Sequence, residues 1–224
     1  MTSNRAVVTA TPSFISPILP SNFMQEATGG DRPLKLGILA SGSGSNFEAI
    51  AEAIASGELN AQIQVVIYNN PGAKVCDRAR RWNVPAVFHD HRQYKRRQLD
   101  AQIVATLQEY DVEWVIMAGW MRIVTEVLID QFPNRVLNIH PSLLPSFRGA
   151  RAVEDALQAR VKITGCTVHI AALEVDSGPI LMQAAVPVMP DDTPETLHAR
   201  IQVEEHRIYP RAIALAAQQA KNSP

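Results

Sequence analysis

From Leu34 to His140 the sequence alternates short apolar runs with amphipathic segments, and this alternation restricts the chain to a small set of folds. The run Leu34–Ala40 is apolar except for Lys35 and Gly37, the pattern of a strand covered on both faces. Helical spacing over residues 47–55 follows, with Gly57 as its stop. The pairing then recurs as strand 63–68, helix 73–82, strand 86–88, helix 96–109 and strand 114–118. A shorter helix near Glu126 leads into strand 135–139. Strands joined by helices imply right-handed crossovers and an α/β fold, a Rossmann-like, mostly parallel sheet flanked by helices. After His140 the rhythm changes. A Pro- and Ser-rich stretch over residues 141–148 precedes a helix at 151–159, then two strands at 166–171 and 180–188, then a long terminal helix at 194–219. The two strands are expected to form a C-terminal antiparallel pair.

Residues 34–224 therefore read as one domain, with a Rossmann-like half at 34–140 and the catalytic loops and closing helix at 141–224. Residues 1–33 differ: Ser, Thr, Pro, Gly and Asn dominate and no period persists. Pro12, Pro17 and Pro20 interrupt any apolar core of a signal peptide. This segment is expected to be a disordered extension, with an organellar transit peptide as the minority reading.

The chemically loaded segments fall at strand ends, where open α/β sheets bind their ligands. Ser41-Gly42-Ser43-Gly44-Ser45-Asn46 lies between the first predicted strand and helix. Glycines let the backbone approach an anion, and a helix N-terminus offers unpaired N–H groups with partial positive charge. Asn46 replaces the third glycine of a dinucleotide fingerprint, and the lysine of a P-loop is missing. A small phosphate ester fits this loop better than a dinucleotide or a nucleoside triphosphate. A plain strand-to-helix turn with Asn46 as N-cap is the competing reading.

Asn138 and His140 alternate along one strand, so both side chains leave the sheet on the same side. An amide and an imidazole so placed can donate to one developing oxyanion, as acyl transfer requires. Asp176, in Asp176-Ser177-Gly178-Pro179, suits a turn initiator and equally a carboxylate that orients His140 and favours its charged form.

Composition narrows the partners. The 21 basic and 22 acidic residues nearly cancel, leaving net charge -1 with no basic tract, so nucleic acid is not an expected partner. No apolar run approaches the roughly 20 residues that span a bilayer, and no membrane partner is expected. Cys76 and Cys166 lack zinc spacing, which points to a reducing, cytoplasmic setting without a metal.

The Gly-Ser-Gly-Ser-Asn loop, Ala118-Gly119-Trp120-Met121-Arg122, the run from Asn138 to Pro145, Gly165-Cys166-Thr167-Val168-His169 and Asp176-Ser177-Gly178-Pro179 occur here in this order. Together with Gln202 to Pro210, they make the chain resemble the phosphoribosylglycinamide formyltransferases of purine biosynthesis over about Leu34 to Ala214. The resemblance implies two small-molecule substrates, phosphoribosylglycinamide and 10-formyltetrahydrofolate as co-substrate, with a homodimer left open. It implies that Gly44, Ser45 and Asn46 bind phosphate and that Gln202 and Glu205 help to hold the same substrate. Met121, Arg122, Ile123 and Val124 match the segment lining the pterin pocket, to which Asn138 also contributes. Arg96 matches an arginine for the folate, with Arg97 as the alternative one step along. Asn138, His140 and Asp176 match the catalytic set. The sequence departs from many relatives at Arg151 and Val153, where histidines are common, and this affects the folate-side loop.

Two other folate enzymes share such a half. Phe147-Arg148-Gly149-Ala150 faintly resembles methionyl-tRNA formyltransferase, whose family adds a C-terminal nucleic-acid-binding domain, whereas this sequence continues only briefly beyond Ala214. Formyltetrahydrofolate hydrolase shares the cluster but adds an N-terminal regulatory domain and lacks the Gly-Ser-Gly-Ser-Asn loop. A small-ligand sensor would use the loop but would not need Asn138, His140 and Asp176 together.

Overall fold

The computed structural model describes residues 14–20, 23–24 and 32–222. Its strands are β1 (Phe14–Ser16), β2 (Leu34–Ala40), β3 (Ala61–Tyr68), β4 (Ala86–Phe88), β5 (Trp114–Met117), β6 (Val136–His140), β7 (Ile163–Ile170) and β8 (Ile180–Pro187). They form one eight-stranded sheet in the order β1-β8-β7-β6-β5-β2-β3-β4. From β4 to β6 every pairing is parallel, and from β6 to β1 every pairing is antiparallel. The chain leaves β2 toward β3 on one side and reaches β5 on the other. The loops after β2 and β5 therefore flank a topological switch point, where such sheets hold ligands.

Helices cover both faces. Packed on one are α1 (Ser45–Ala55), α2 (Val75–Arg81), α5 (Ala152–Gln158) and α6 (Pro194–Asn222); on the other are α3 (Arg96–Glu109) and α4 (Glu126–Ile129). Strand alternation explains the division. Leu36, Ile38, Ile116 and Leu137 join the α1/α6 cluster, while Leu39, Val115, Met117 and Val136 join the α3 cluster. Residues buried as fully as Ile38 and Ile116 each contribute about 1.5–3 kcal/mol by leaving water. On α6, Leu197, Ile201, Ile208, Ala212 and Leu215 form the inward stripe. Tyr209 lies fully buried with its hydroxyl 3.1 Å from the carbonyls of both Met117 and Leu137, which fixes α6 over the central strands.

Part of the expected extension is ordered, which amends the reading of residues 1–33. Phe14, Ile15 and Ser16 pair antiparallel with Ala185, Ala184 and Gln183. Phe23 is buried in the α1/α6 cluster, and Ile15, Leu19 and Met24 pack against it. The physical reason is that β8 would otherwise present unpaired N–H and C=O groups along its edge. The apolar residues Ile15, Leu19 and Phe23 make that cover adhesive. Residues 1–13, 21–22 and 25–31 lie outside the described residues.

Candidate active site

β6 ends at the carboxyl edge of the sheet with Asn138 and His140, which leave it on the face carrying Val136. The loop after β6 is held from beneath. Thr167 Oγ1 donates to Ser142 O at 2.7 Å and accepts from the Leu144 N–H at 3.1 Å, while Gln183 Nε2 donates to Leu144 O at 3.0 Å. The loop between β7 and β8 then brings Asp176 over the same face. Gly178 permits this approach, because a Cβ there would sit 1.8 Å from the Ile170 carbonyl oxygen. Asp176 itself adopts φ 52°, a left-handed conformation that Asp tolerates better than most residues.

The three groups meet. His140 Nδ1 lies 3.3 Å from Asp176 Oδ2, which also accepts the Gly149 N–H at 2.9 Å. His140 Nε2 donates to the Phe147 carbonyl at 2.8 Å. Both ring nitrogens of this buried histidine therefore face acceptors, the arrangement that an imidazolium satisfies. Asn138 Nδ2 stands 3.5 Å from Asp176 Oδ1 and 3.1 Å from His169 Nε2. Burial acts to raise the Asp176 pKa, but its contacts with His169, the Gly149 amide and His140 outweigh it. The carboxyl is held below its ordinary range.

The glycine loop forms the second part of the site. Gly44 occupies the N-cap of α1 at φ 74°, so Asn46 is not the cap. A Cβ at Gly44 would lie 2.6–2.9 Å from Val75 atoms, so glycine is required here for packing as well as for conformation. Asn46 instead donates from Nδ2 to Glu205 Oε2 at 2.9 Å, and its Oδ1 is buried without a partner. Burial raises the Glu205 pKa, against the Asn46 hydrogen bond and the charge of His198. Gln202 lies one turn earlier on α6, partly buried.

Between these parts runs the segment after β5. Ser41 joins it to the glycine loop, accepting the Met121 N–H on Oγ at 2.8 Å and donating its own N–H to Gly119 O at 3.0 Å. Met121 and Ile123 are exposed beside Arg122, whereas Val124 turns into the α3 core. Asp100 on α3 secures this segment by accepting from Thr125 N at 2.5 Å and Thr125 Oγ1 at 2.7 Å. Arg97 forms an ion pair with Glu126, and Arg96 is exposed at the first position of α3. At the departure noted in the sequence, Val153 is buried in the core and Arg151 is exposed at the start of α5.

Residue patterns missed His169, the Gly149 amide and the Phe147 carbonyl. His169 had a legible signal, since it lies on the strand that pairs with β6 and stands opposite Asn138. The other two contribute backbone atoms and leave no mark in residue type. Among the described residues, no group of three or more His, Cys, Asp or Glu side chains is placed to hold a metal ion, and no helix is long and apolar enough to cross a membrane.

A glycine loop at a helix N-terminus and a buried imidazole–amide–carboxylate cluster thus share the carboxyl edge of an α/β sheet. The family model described as formyl transferase matches residues 34–213. The chain belongs to that family. It is 41% identical over 184 residues to the human trifunctional purine biosynthetic protein adenosine-3 and 42% identical over 185 residues to the Gallus gallus protein of that name. Each match covers 82% of this chain and 18% of the relative, so the chain spans under a fifth of those proteins. Among solved structures, glycinamide ribonucleotide transformylase 1 from Symbiobacterium toebii superposes with TM-score 0.83 at 46% identity, covering 85% of this chain and 90% of that one. Phosphoribosylglycinamide formyltransferase from Bacillus halodurans gives TM-score 0.78 at 39% identity, covering 84% and 97%.

Proposed function

We propose that this chain transfers the formyl group of 10-formyltetrahydrofolate to the glycine amine of phosphoribosylglycinamide. The observation that carries the reading is the convergence of His140, Asn138 and Asp176 at the carboxyl edge of the sheet, within a formyl transferase chain. Gly44, Ser45 and the N-terminus of α1 suit a phosphate, and the unpartnered Asn46 Oδ1 beside Glu205 suits a sugar hydroxyl. Exposed Met121 and Ile123 offer apolar surface to a flat ring, and Arg96 is the arginine free to meet a folate carboxylate because Arg97 is engaged by Glu126. The acceptor and donor are both small molecules, and the setting of this reading is the cytosol.

The amine nitrogen adds to the formyl carbon, and the formyl oxygen gains negative charge. His140 Nε2–H and an N–H of Asn138 stabilise that charge. Such donors are each worth about 2.7–4 kcal/mol of barrier. His140 has to exchange its present acceptor, the Phe147 carbonyl, for the formyl oxygen. The carbon–nitrogen bond to the folate then breaks, and the folate nitrogen takes up the proton that the amine releases. Asp176 faces His140 Nδ1, orients the imidazole and can pass that proton through water. Holding both substrates adjacent supplies much of the remaining rate.

Offering the enzyme 10-formyltetrahydrofolate with one acceptor at a time tests the assignment. Rapid formylation of phosphoribosylglycinamide, with little release of formate to water and none to charged initiator tRNA, is expected. Formate release at the same rate without the acceptor would indicate a hydrolase and overturn the proposal.

A further inference from the structure

We infer that His169 fixes the orientation of the Asn138 amide, holding its nitrogen rather than its oxygen inward and leaving one N–H for the reacting formyl oxygen. The inference rests on the catalytic reading of Asn138 above. His169 is buried on β7 directly across from Asn138. Its Nδ1 lies 3.0 Å from the Ile170 carbonyl oxygen, which can only accept, so Nδ1 carries a proton. Its Nε2 lies 3.1 Å from Asn138 Nδ2, and an amide nitrogen has only protons to offer. Nε2 is therefore the acceptor. The nearer carboxylate oxygen, Asp176 Oδ1, stands 3.6 Å from Nε2, beyond good hydrogen-bond length.

Turning the amide over would place its oxygen against the Nε2 lone pair and within about the same distance of the Asp176 carboxylate. Two acceptors would then face a third, so only one orientation is satisfied. In that orientation one N–H is committed to His169. The second has only Asp176 Oδ1, at the 3.5 Å limit, and remains available to a developing oxyanion. Without His169 the amide is free to turn or to close that gap and give both protons to the carboxylate. His169 is thus a positioning residue that acts through Asn138, and its own tautomer is set by a backbone carbonyl.

A double-mutant cycle in kcat, read with 10-formyltetrahydrofolate and phosphoribosylglycinamide, separates this from a general structural role. His169→Leu should lower kcat by roughly the factor that Asn138→Ala does, on the order of 100-fold, with both KM values little changed. The double variant should be no slower than Asn138→Ala alone. His169→Gln keeps an acceptor for the amide and should recover most of the loss, which guards against misreading a folding defect. Multiplying losses in the double variant, or His169→Gln as slow as His169→Leu, would overturn the inference while leaving the role of Asn138 intact. An unimpaired Asn138→Ala enzyme would instead defeat the catalytic reading, and this inference with it.

Discussion

At the scale of single residues, Asp176 carries the most interactions in the site, since it faces His140, His169, Asn138 and the Gly149 amide. Asp176→Asn keeps its size and its capacity for a left-handed turn but removes the charge that confronts two imidazoles. Turnover at neutral pH should fall steeply while both substrates still bind, a split that steady-state kinetics would show. The same charge makes a prediction for stability. The folded-state pKa of Asp176 is lowered, so its contribution is fully present above the ordinary carboxylate value near 4 and is lost as pH falls through the lower folded value. The melting-temperature advantage of the wild type over Asp176→Asn should therefore be constant near neutrality and shrink on acidification below about pH 4. An advantage that grows in acid would show that Asp176 is not held as an anion. The shared face of Asn138 and His140 was legible in the sequence because alternation is a property of residue order, whereas the approach of Asp176 to His140 was not, because a turn residue carries no mark of what it faces. That His140 Nε2 is taken by Phe147 was not legible, because it depends on how a loop folds back on its own strand.

At the scale of elements, the glycine loop and β1 separate what residue patterns reveal from what packing decides. Gly44 was read as a gap for phosphate, yet its neighbour is Val75 on α2. Gly44→Ala should lower stability by about 1–3 kcal/mol through overpacking and left-handed strain, besides weakening phosphoribosylglycinamide binding. Gly42→Ala, with nothing within 4 Å of its added carbon, should melt like the wild type. Equal melting of the two variants would mean that α2 does not press on the loop. β1 was illegible for a different reason: three residues cannot display a period, and their cover of the β8 edge is a long-range pairing. Deleting residues 1–31 removes β1 and the buried Phe23. Calorimetry should show melting lowered on the order of 5 °C, with turnover at lower temperature largely kept. An unchanged melting temperature would show that this segment adds nothing to the sheet.

At the scale of the whole molecule, the alternation of strands and helices from Leu34 onward specified the parallel half almost element by element, with boundaries shifted by a residue or two. Burial on both faces explains this, since β2 and β5 must be apolar throughout to lie between α1/α6 and α3. The antiparallel half was legible as two strands, but not in register, and the register places His169 against Asn138. The fold thus brings the glycine loop after β2 and the cluster of Asn138, His140 and Asp176 to one edge of the sheet, with the segment Gly119–Thr125 after β5 between them. In the proposed reaction this arrangement transfers a formyl group with His140 as a donor to the oxyanion. Single-turnover formylation of phosphoribosylglycinamide by the wild type and by His140→Ala tests it most directly. The expected rate is lower by about two orders of magnitude or more with both substrates still bound; a variant that turns over near the wild-type rate would rule out His140 as that donor.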